Sequence, residues 1–334
     1  MRPQLHTGSA VFEHLASEWN TLVEQGITNT PFQRLEYQKS WWQHLGPGNL
    51  YTISVRDDSD DGRLLGIGSF YLIEQTLYFN GCVEETDYLD IITTSEHAEQ
   101  MWEIILDCLG SERVPQWNCI DLCNIPAASP TRKILPRLAE SRGFSFSTEV
   151  HEVCPIINLN GTFDDYLAGL DKKQRHEVRR KMRRADEAGL KIRTVGKDDD
   201  IKTAVNKFLV LLEKSHPDKA GWLNEARTAH FQEIAAAGQA DGTLQLMFAE
   251  MQGQQAAALF NYDYDGRIWV YNSGFDPDTF SQLSAGVVLT ARAIEVAIEN
   301  GRKDFDFLRG DEVYKYRFGA QDTTVHRLTL RKTV

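Results

Sequence analysis

The chain has 334 residues, enough for two domains, and its 42% hydrophobic and 25% charged content is that of an ordinary folded protein. A formal charge of −12 argues against general binding to nucleic acid or to an anionic membrane. The first residues lead into no secretory h-region, and no apolar run is long enough to span a bilayer.

Five cysteines without a tight cluster read as buried free thiols in a reducing cytoplasm. Cys119 and Cys123 share one side of a strand, but no second Cys/His pair lies nearby to complete a zinc site, so no metal is expected.

Along the first half, Val11, Leu15, Trp19, Leu22 and Val23 recur at helical spacing and predict a helix over 10–26, closed by Gly26. A second amphipathic helix over 32–45 carries Trp41 and Trp42, as core or as pocket lining. Strands over 51–55, 64–73 and 76–80 follow, with an acidic turn at 57–62. Asp87-Tyr88-Leu89-Asp90 reads either as a ligand contact through Asp87 and Tyr88 or as the solvated start of a short apolar run. Helices over 96–109 and 129–142 flank a strand over 118–123, and a strand over 153–159 ends the half.

Residues 163–188 form a helix of another kind. Over 172–184, Lys172, Lys173, Arg175, Arg179, Arg180, Lys181, Arg183 and Arg184 oppose one Glu177, so these thirteen residues are +7 in a chain of −12. Leu167, Leu170, Val178, Met182 and Ala185 make a narrow seam that docks it. The basic face is an anion grip, for a phosphorylated cofactor, an acidic substrate or a lipid surface, or else a solvated face neutralising an acidic protein.

The second half repeats the order. A strand over 191–195 leads to helices over 198–215 and 224–237, joined by His216-Pro217-Asp218-Lys219-Ala220-Gly221-Trp222, a loop placed to cover a substrate. Strands over 244–249, 256–262 and 267–272 precede a helix over 284–300, with Ser281 or Ser284 as its N-cap. That helix is apolar on most faces and opens on small residues, which leaves backbone N–H groups and a positive dipole end for a phosphate. A strand over 303–308 runs into Arg309-Gly310-Asp311-Glu312-Val313-Tyr314-Lys315-Tyr316-Arg317, and a strand over 325–330 ends the chain. Tyr78-Phe79-Asn80-Gly81 and Val270-Tyr271-Asn272-Ser273-Gly274 are echoes, each followed by a helix and a strand, which implies a duplicated domain. The first-half helix start, Thr94-Ser95-Glu96-His97, has no glycine and carries a negative charge, so the competent site is expected in the second half.

With these residues on the page the chain resembles the GNAT acyltransferases, and within them the cellulose-biosynthesis-type (CelD/BcsL-like) acetyltransferases, tandem-GNAT relatives of the Fem aminoacyl transferases. The resemblance rests on Arg175 and Arg179-Arg180 of the basic helix, on Ser284-Ala285-Gly286, and on Asp304-Phe305-Asp306-Phe307 with Arg309-Gly310-Asp311 and Tyr314-Lys315. It implies an α+β fold of tandem GNAT-like domains: a degenerate one over 1–160, the basic helix as a linker over 161–189, and a competent one over 190–334. In the usual GNAT phosphate loop Gln282 keeps its place, whereas Ala285 replaces the first glycine and Val287 the last small residue.

The resemblance further implies acetyl-CoA or another acyl-CoA as co-substrate, held by Asn272, Gly274, Gln282, Leu283, Ser284, Ala285, Gly286 and Val287. Asp311 or Glu312 would take the proton of an amine or sugar-type acceptor, Tyr314 or failing that Tyr316 would protonate the leaving thiolate, and Lys315 with Arg309 would bind an anionic substrate or fix those carboxylates. Arg175, Arg179, Asp306, Arg309, Trp222, Asp87 and Tyr88 are the candidate acceptor contacts. The alternatives are a Fem-like transferase using aminoacyl-tRNA and a non-catalytic binding protein of the same fold.

Overall fold

The computed structural model describes residues 1–59, 62–82 and 84–333. Positions 60 and 61 of the expected acidic turn lie outside the described residues. The chain divides into two compact units, Met1–Val153 with Thr324–Val334, and Cys154–Thr323. The basic helix falls in the second unit and most of the last strand in the first.

Numbered along the chain, the first strands are β1 (Arg2–Thr7), β2 (Asn49–Arg56), β3 (Leu64–Ile73), β4 (Thr76–Phe79), β5 (Ile92–Thr93), β6 (Cys119–Pro126) and β7 (Phe144–Asn158). The rest are β8 (Lys191–Thr194), β9 (Leu244–Met251), β10 (Gln254–Tyr264), β11 (Arg267–Phe275), β12 (Asp304–Asp306) and β13 (Gln321–Lys332). In the first unit β1, β2, β3 and β4 pair antiparallel in that order, β4 pairs parallel with β6, and β13 closes on β6 antiparallel. The second unit repeats the scheme with β8, β9, β10 and β11 antiparallel, β11 parallel to β12, and the end of β7 antiparallel on β12. Each unit is therefore a mixed, mostly antiparallel sheet flanked by helices, and the two sheets share one pairing scheme.

Period-2 alternation assigns the sheet faces. In the second unit Ala257, Leu259, Ile268 and Val270 face the helix Ala285–Glu299 and the seam Val178, Met182 and Ala185 of the basic helix. Phe260 and Tyr271 point the other way, onto Phe208 and Phe231 of the helices Ile201–Ser215 and Glu225–Asp241. Each fully buried Leu, Ile or Phe of this kind contributes about 1.5–3 kcal/mol. In the first unit Ile67 packs with Val11, Trp19 and Leu22, while Phe70 meets Trp102 of the helix Ala98–Leu109.

Several sequence expectations are corrected. The helix over 10–26 is two pieces, Val11–His14 and Ala16–Glu24. The segment 163–188 is also two helices, because Thr162 and Asp165 form a capping box for Phe163–Gly169 and Asp171 caps Lys172–Ala188 through Lys173 N and Gln174 N. The loop 216–222 contains the short helix Pro217–Trp222, with His216 as N-cap accepting from Asp218 N. Cys82 and Cys123 form a disulfide with Cα atoms 6.3 Å apart, so free thiols are confirmed only for Cys108, Cys119 and Cys154.

Candidate active site

The second unit carries a cavity of about 390 Å³. Its floor is Ala256 and Ala258 of β10 with Ser273 and Gly274 of β11. Ser284, Ala285, Gly286 and Val287 form one wall, and Phe307, Tyr314 and Phe318 another.

Two features of the backbone make this space. The β11–β12 ladder runs only from Arg267–Asp304 to Trp269–Asp306, and beyond it β11 stays with β10 while Phe307 N donates to Pro155 O at 2.9 Å. The two strands part, and Val270 and Phe307 line opposite sides of the gap. A bulge sits just there, since Phe260 opposes Asn272 and Asn261 opposes Val270, leaving Tyr271 unmatched. Gly274 is required by packing. A Cβ on it would lie 2.4 Å from Leu212 N and 2.5 Å from Leu211 C, so only glycine lets the helix Ile201–Ser215 cross β11 at that point.

The helix start is the second feature. A 3-10 turn, Ser281–Leu283, is flanked by Phe280 at φ 51° and Ser284 at φ 53°. Two non-glycine residues in the left-handed region cost roughly 1–2 kcal/mol each, and such strain concentrates at functional sites. Ser284 is the N-cap residue, as one of the two expected serines, but in that conformation its hydroxyl makes no cap bond. Val288 N donates to Ser284 O at 3.1 Å as the first helical bond. The N–H groups of Ala285, Gly286 and Val287 precede it and have no partner inside the helix. Arg184 of the basic helix donates to Gln282 O and fixes the turn from outside.

The charged motif after β12 is an ordered loop. Leu308 sits at φ 58°, its N–H donates to Asp306 Oδ1 at 2.8 Å, and Gly310 follows at φ 109°. Lys315 is 2% exposed and its ammonium donates to the carbonyls of Leu308, Arg309 and Gly310 at 3.3, 2.7 and 3.0 Å. It also pairs with Glu312 at 2.8 Å. Asp306, fully buried, lies 3.5 Å from Arg267. Asp306 and Lys315 thus hold the loop from both ends. The helix Val313–Arg317 then presents Tyr314 to the cavity, its ring edge-on to Phe307. Burial first, and the Glu312 carboxylate second, push the Tyr314 hydroxyl pKa above the ordinary tyrosine range. Tyr316 instead donates to Asp322 at 2.8 Å, and that bond is the main cause of its rise to about 12. Asp311 is exposed and makes no hydrogen bond or ion pair among the described residues.

Of the residues singled out in the sequence, the cavity gathers Gly274, Ser284, Ala285, Gly286, Val287 and Tyr314. Leu283 is in the core beside it, and Gln282 is exposed on the turn. Arg175 donates to Ala168 O, and Arg179 pairs with Asp164, at 2.9 Å each. Trp222 lies under the Arg227 guanidinium, 4.7 Å from the ring centre. Asp87 and Tyr88 are buried in the first unit, as is Asp90, which removes the solvated reading of that segment.

Two residues escaped the sequence reading as individuals. One is Arg184, hidden in a run of basic residues. The other is Lys219, which donates to Asn272 Oδ1 at 3.1 Å and to Ser273 O at 3.0 Å. A lysine in a Pro/Gly-punctuated loop gives no signal of its own. Among the described residues no group of His, Cys, Asp or Glu is arranged to hold a metal ion, and no helix is long and apolar enough to cross a membrane.

Residues 172–316, a range that contains both the helix start and the parted strands, match the family described as Acetyltransferase (GNAT) domain. The matched range lies within the second unit and includes the basic helix. Among solved structures the chain is similar to FemX, at 11% identity and a TM-score of 0.70, over 98% of this chain and 97% of that one. It is also similar to L-PGS from Bacillus licheniformis, at 11% identity and a TM-score of 0.59, over 95% and 92%. A tandem GNAT protein from the clavulanic acid biosynthesis pathway matches at 12% identity and a TM-score of 0.50, over 100% and 99%. At such identities these likenesses concern the fold. No curated protein matches the sequence.

Proposed function

We propose that the protein is an acyl-CoA-dependent acyltransferase of the cellulose-biosynthesis type, acting in the cytoplasm on an amine or sugar-type acceptor. The observation that carries this is the uncapped start of Ala285–Glu299 opening into the same cavity as the parted end of β11. The three amides of Ala285–Val287 suit the pyrophosphate, and the cavity between β10 and Phe307 suits the chain that leads to the thioester.

In the reaction the acceptor nitrogen bonds to the thioester carbonyl carbon, and the carbon–sulfur bond breaks. Asp311 takes the proton from nitrogen, because Glu312 is already held by Lys315. Tyr314, protonated at neutral pH and lining the cavity, delivers a proton to the sulfur. Lys315 and Asp306 act by holding the loop that carries Asp311 and starts the helix of Tyr314.

Titration calorimetry with acetyl-CoA, on the wild type and on Gly286→Glu, tests the donor. No binding to the wild type would overturn the reading and favour an aminoacyl-tRNA donor. Lys172, Lys173 and Arg180 on the basic helix, which have no ion pair among the described residues, support that second reading.

A further inference from the structure

Lys219 is a half-buried cation with an incomplete set of partners. An ammonium has three donors. Two of them are taken by Asn272 Oδ1 and Ser273 O, both uncharged oxygens. The third has no partner among the described residues, and no carboxylate lies within ion-pair distance of it. This is unexpected in a chain with 48 acidic and 36 basic residues. Glu312 acts on Lys219 through space, but its carboxylate is bound to Lys315 at 2.8 Å, and Lys315 adds a like charge. A charge removed from water without a counter-charge is unfavourable, and buried charges are normally paired. Burial accordingly depresses the Lys219 pKa. The position is as informative as the charge. Ser273 lines the cavity floor where β11 parts from β12, and the helix Pro217–Trp222 brings Lys219 to that edge.

We propose that Lys219 binds an anionic group, a carboxylate or a phosphoryl group, carried by the acceptor. This rests on reading the cavity as the donor site, with the acceptor entering at the parted end of β11. The anion supplies the missing partner for the third N–H. Lys219 then sets which amines are accepted, those with an acidic group at a fixed reach from the nucleophile.

The test uses the full chain saturated with coenzyme A, so that the helix start at Gly286 is occupied, titrated by calorimetry with sodium acetate and separately with inorganic phosphate. Wild type binds at least one of the two. Lys219→Met weakens that binding about tenfold or more, as expected for a lost charged hydrogen bond, and Lys219→Arg keeps it within about threefold. Acetate binding marks a carboxylate and phosphate binding a phosphoryl group. The thermal midpoint of Lys219→Met stays close to wild type, because the two hydrogen bonds lost to uncharged oxygens are offset by removal of a buried charge without a counter-charge.

Equal binding by wild type and Lys219→Met, or no binding of either anion to wild type, overturns the proposal. So does a Met variant that melts several degrees lower and is not rescued by Arg, which marks a structural lysine. Failure of coenzyme A to bind overturns the donor reading alone. The same titrations in a Gly286→Glu background, where the helix start repels anions, then still decide the role of Lys219.

Discussion

Gly286→Glu separates the proposed donor site from the stability of the fold. A Cβ at Gly286 meets nothing within 4 Å, and the backbone there is ordinary helix, so a side chain enters open space in the cavity. For the folded protein the change is neutral or favourable. A carboxylate in a first helical turn gains about 0.3–1 kcal/mol from the dipole, and replacing a helical glycine gains up to about 1 kcal/mol. For a bound pyrophosphate the sign reverses. At an effective dielectric of about 20 and a separation of about 5 Å, two like charges repel by about 3 kcal/mol. Screening with a length of about 8 Å roughly halves that figure. Two phosphate charges then give about 3 kcal/mol, a loss in affinity of about a hundredfold. Calorimetry with acetyl-CoA measures it, with thermal unfolding as the companion and Gly286→Gln as the control of equal bulk. Affinity equal to wild type in the Glu variant, or equal losses in Glu and Gln, would refute the argument that an anion sits at this helix start.

Lys315→Met removes a donor from three carbonyls and a partner from Glu312; we expect about 3 kcal/mol of destabilisation by urea titration, with turnover lost as the loop Leu308–Gly310 relaxes. Asp311→Asn and Tyr314→Phe leave the melting temperature and the acetyl-CoA affinity near wild type but cut turnover about a hundredfold or more, and wild-type rates in both would remove their assigned roles. Asp90 gives a pH test in the first unit. Burial raises its carboxyl pKa to about 6, against hydrogen bonds from Ser129, Thr131, Ile91 N and Thr28 that lower it. A carboxyl whose folded pKa exceeds its unfolded value holds its proton better when folded, so this group adds stability as pH falls from about 6 towards 4, by roughly 3 kcal/mol at most. Denaturant midpoints of the wild type at pH 4.5 and 7 should differ in that direction relative to Asp90→Asn; an identical pH slope in the two proteins would disprove it.

The second-unit sheet was legible in the sequence because its strands are apolar and regularly punctuated, as in Leu244–Met251 and Arg267–Phe275. β1 was not, since Leu5 is its one buried residue and Arg2–Thr7 shows no apolar alternation. Only the last residues of β7 were read as strand, because Phe144–Glu152 is mostly exposed and polar. Gly286 and Tyr314 could be reached from a helix-start signal and a dense polar motif. The left-handed Ser284 and the partners of Lys219 could not. The first is a backbone choice that a serine does not announce, and the second depends on a six-residue helix too short to show a period.

The duplicated sheet also explains where a cavity can exist. In the first unit Gly66 and Gly68 of β3 offer even more room than the alanines of β10. Yet a Cβ on Gly66 would lie 2.2 Å from Met101 Cε, and one on Gly68 would lie 2.7 Å from Ile105 Cδ1. The helix Ala98–Leu109 has filled the space with long side chains, which suits a sheet that has only to be stable. In the second unit Ala256 lines the cavity with Ala285, Gly286 and Val287, and the absent side chain of Gly286 on the first turn leaves the floor uncovered. Small residues on the strand are common to both units. The difference between core and cavity therefore lies on the helix, and substitutions there that add bulk near Gly286 would convert the second unit towards the packing of the first.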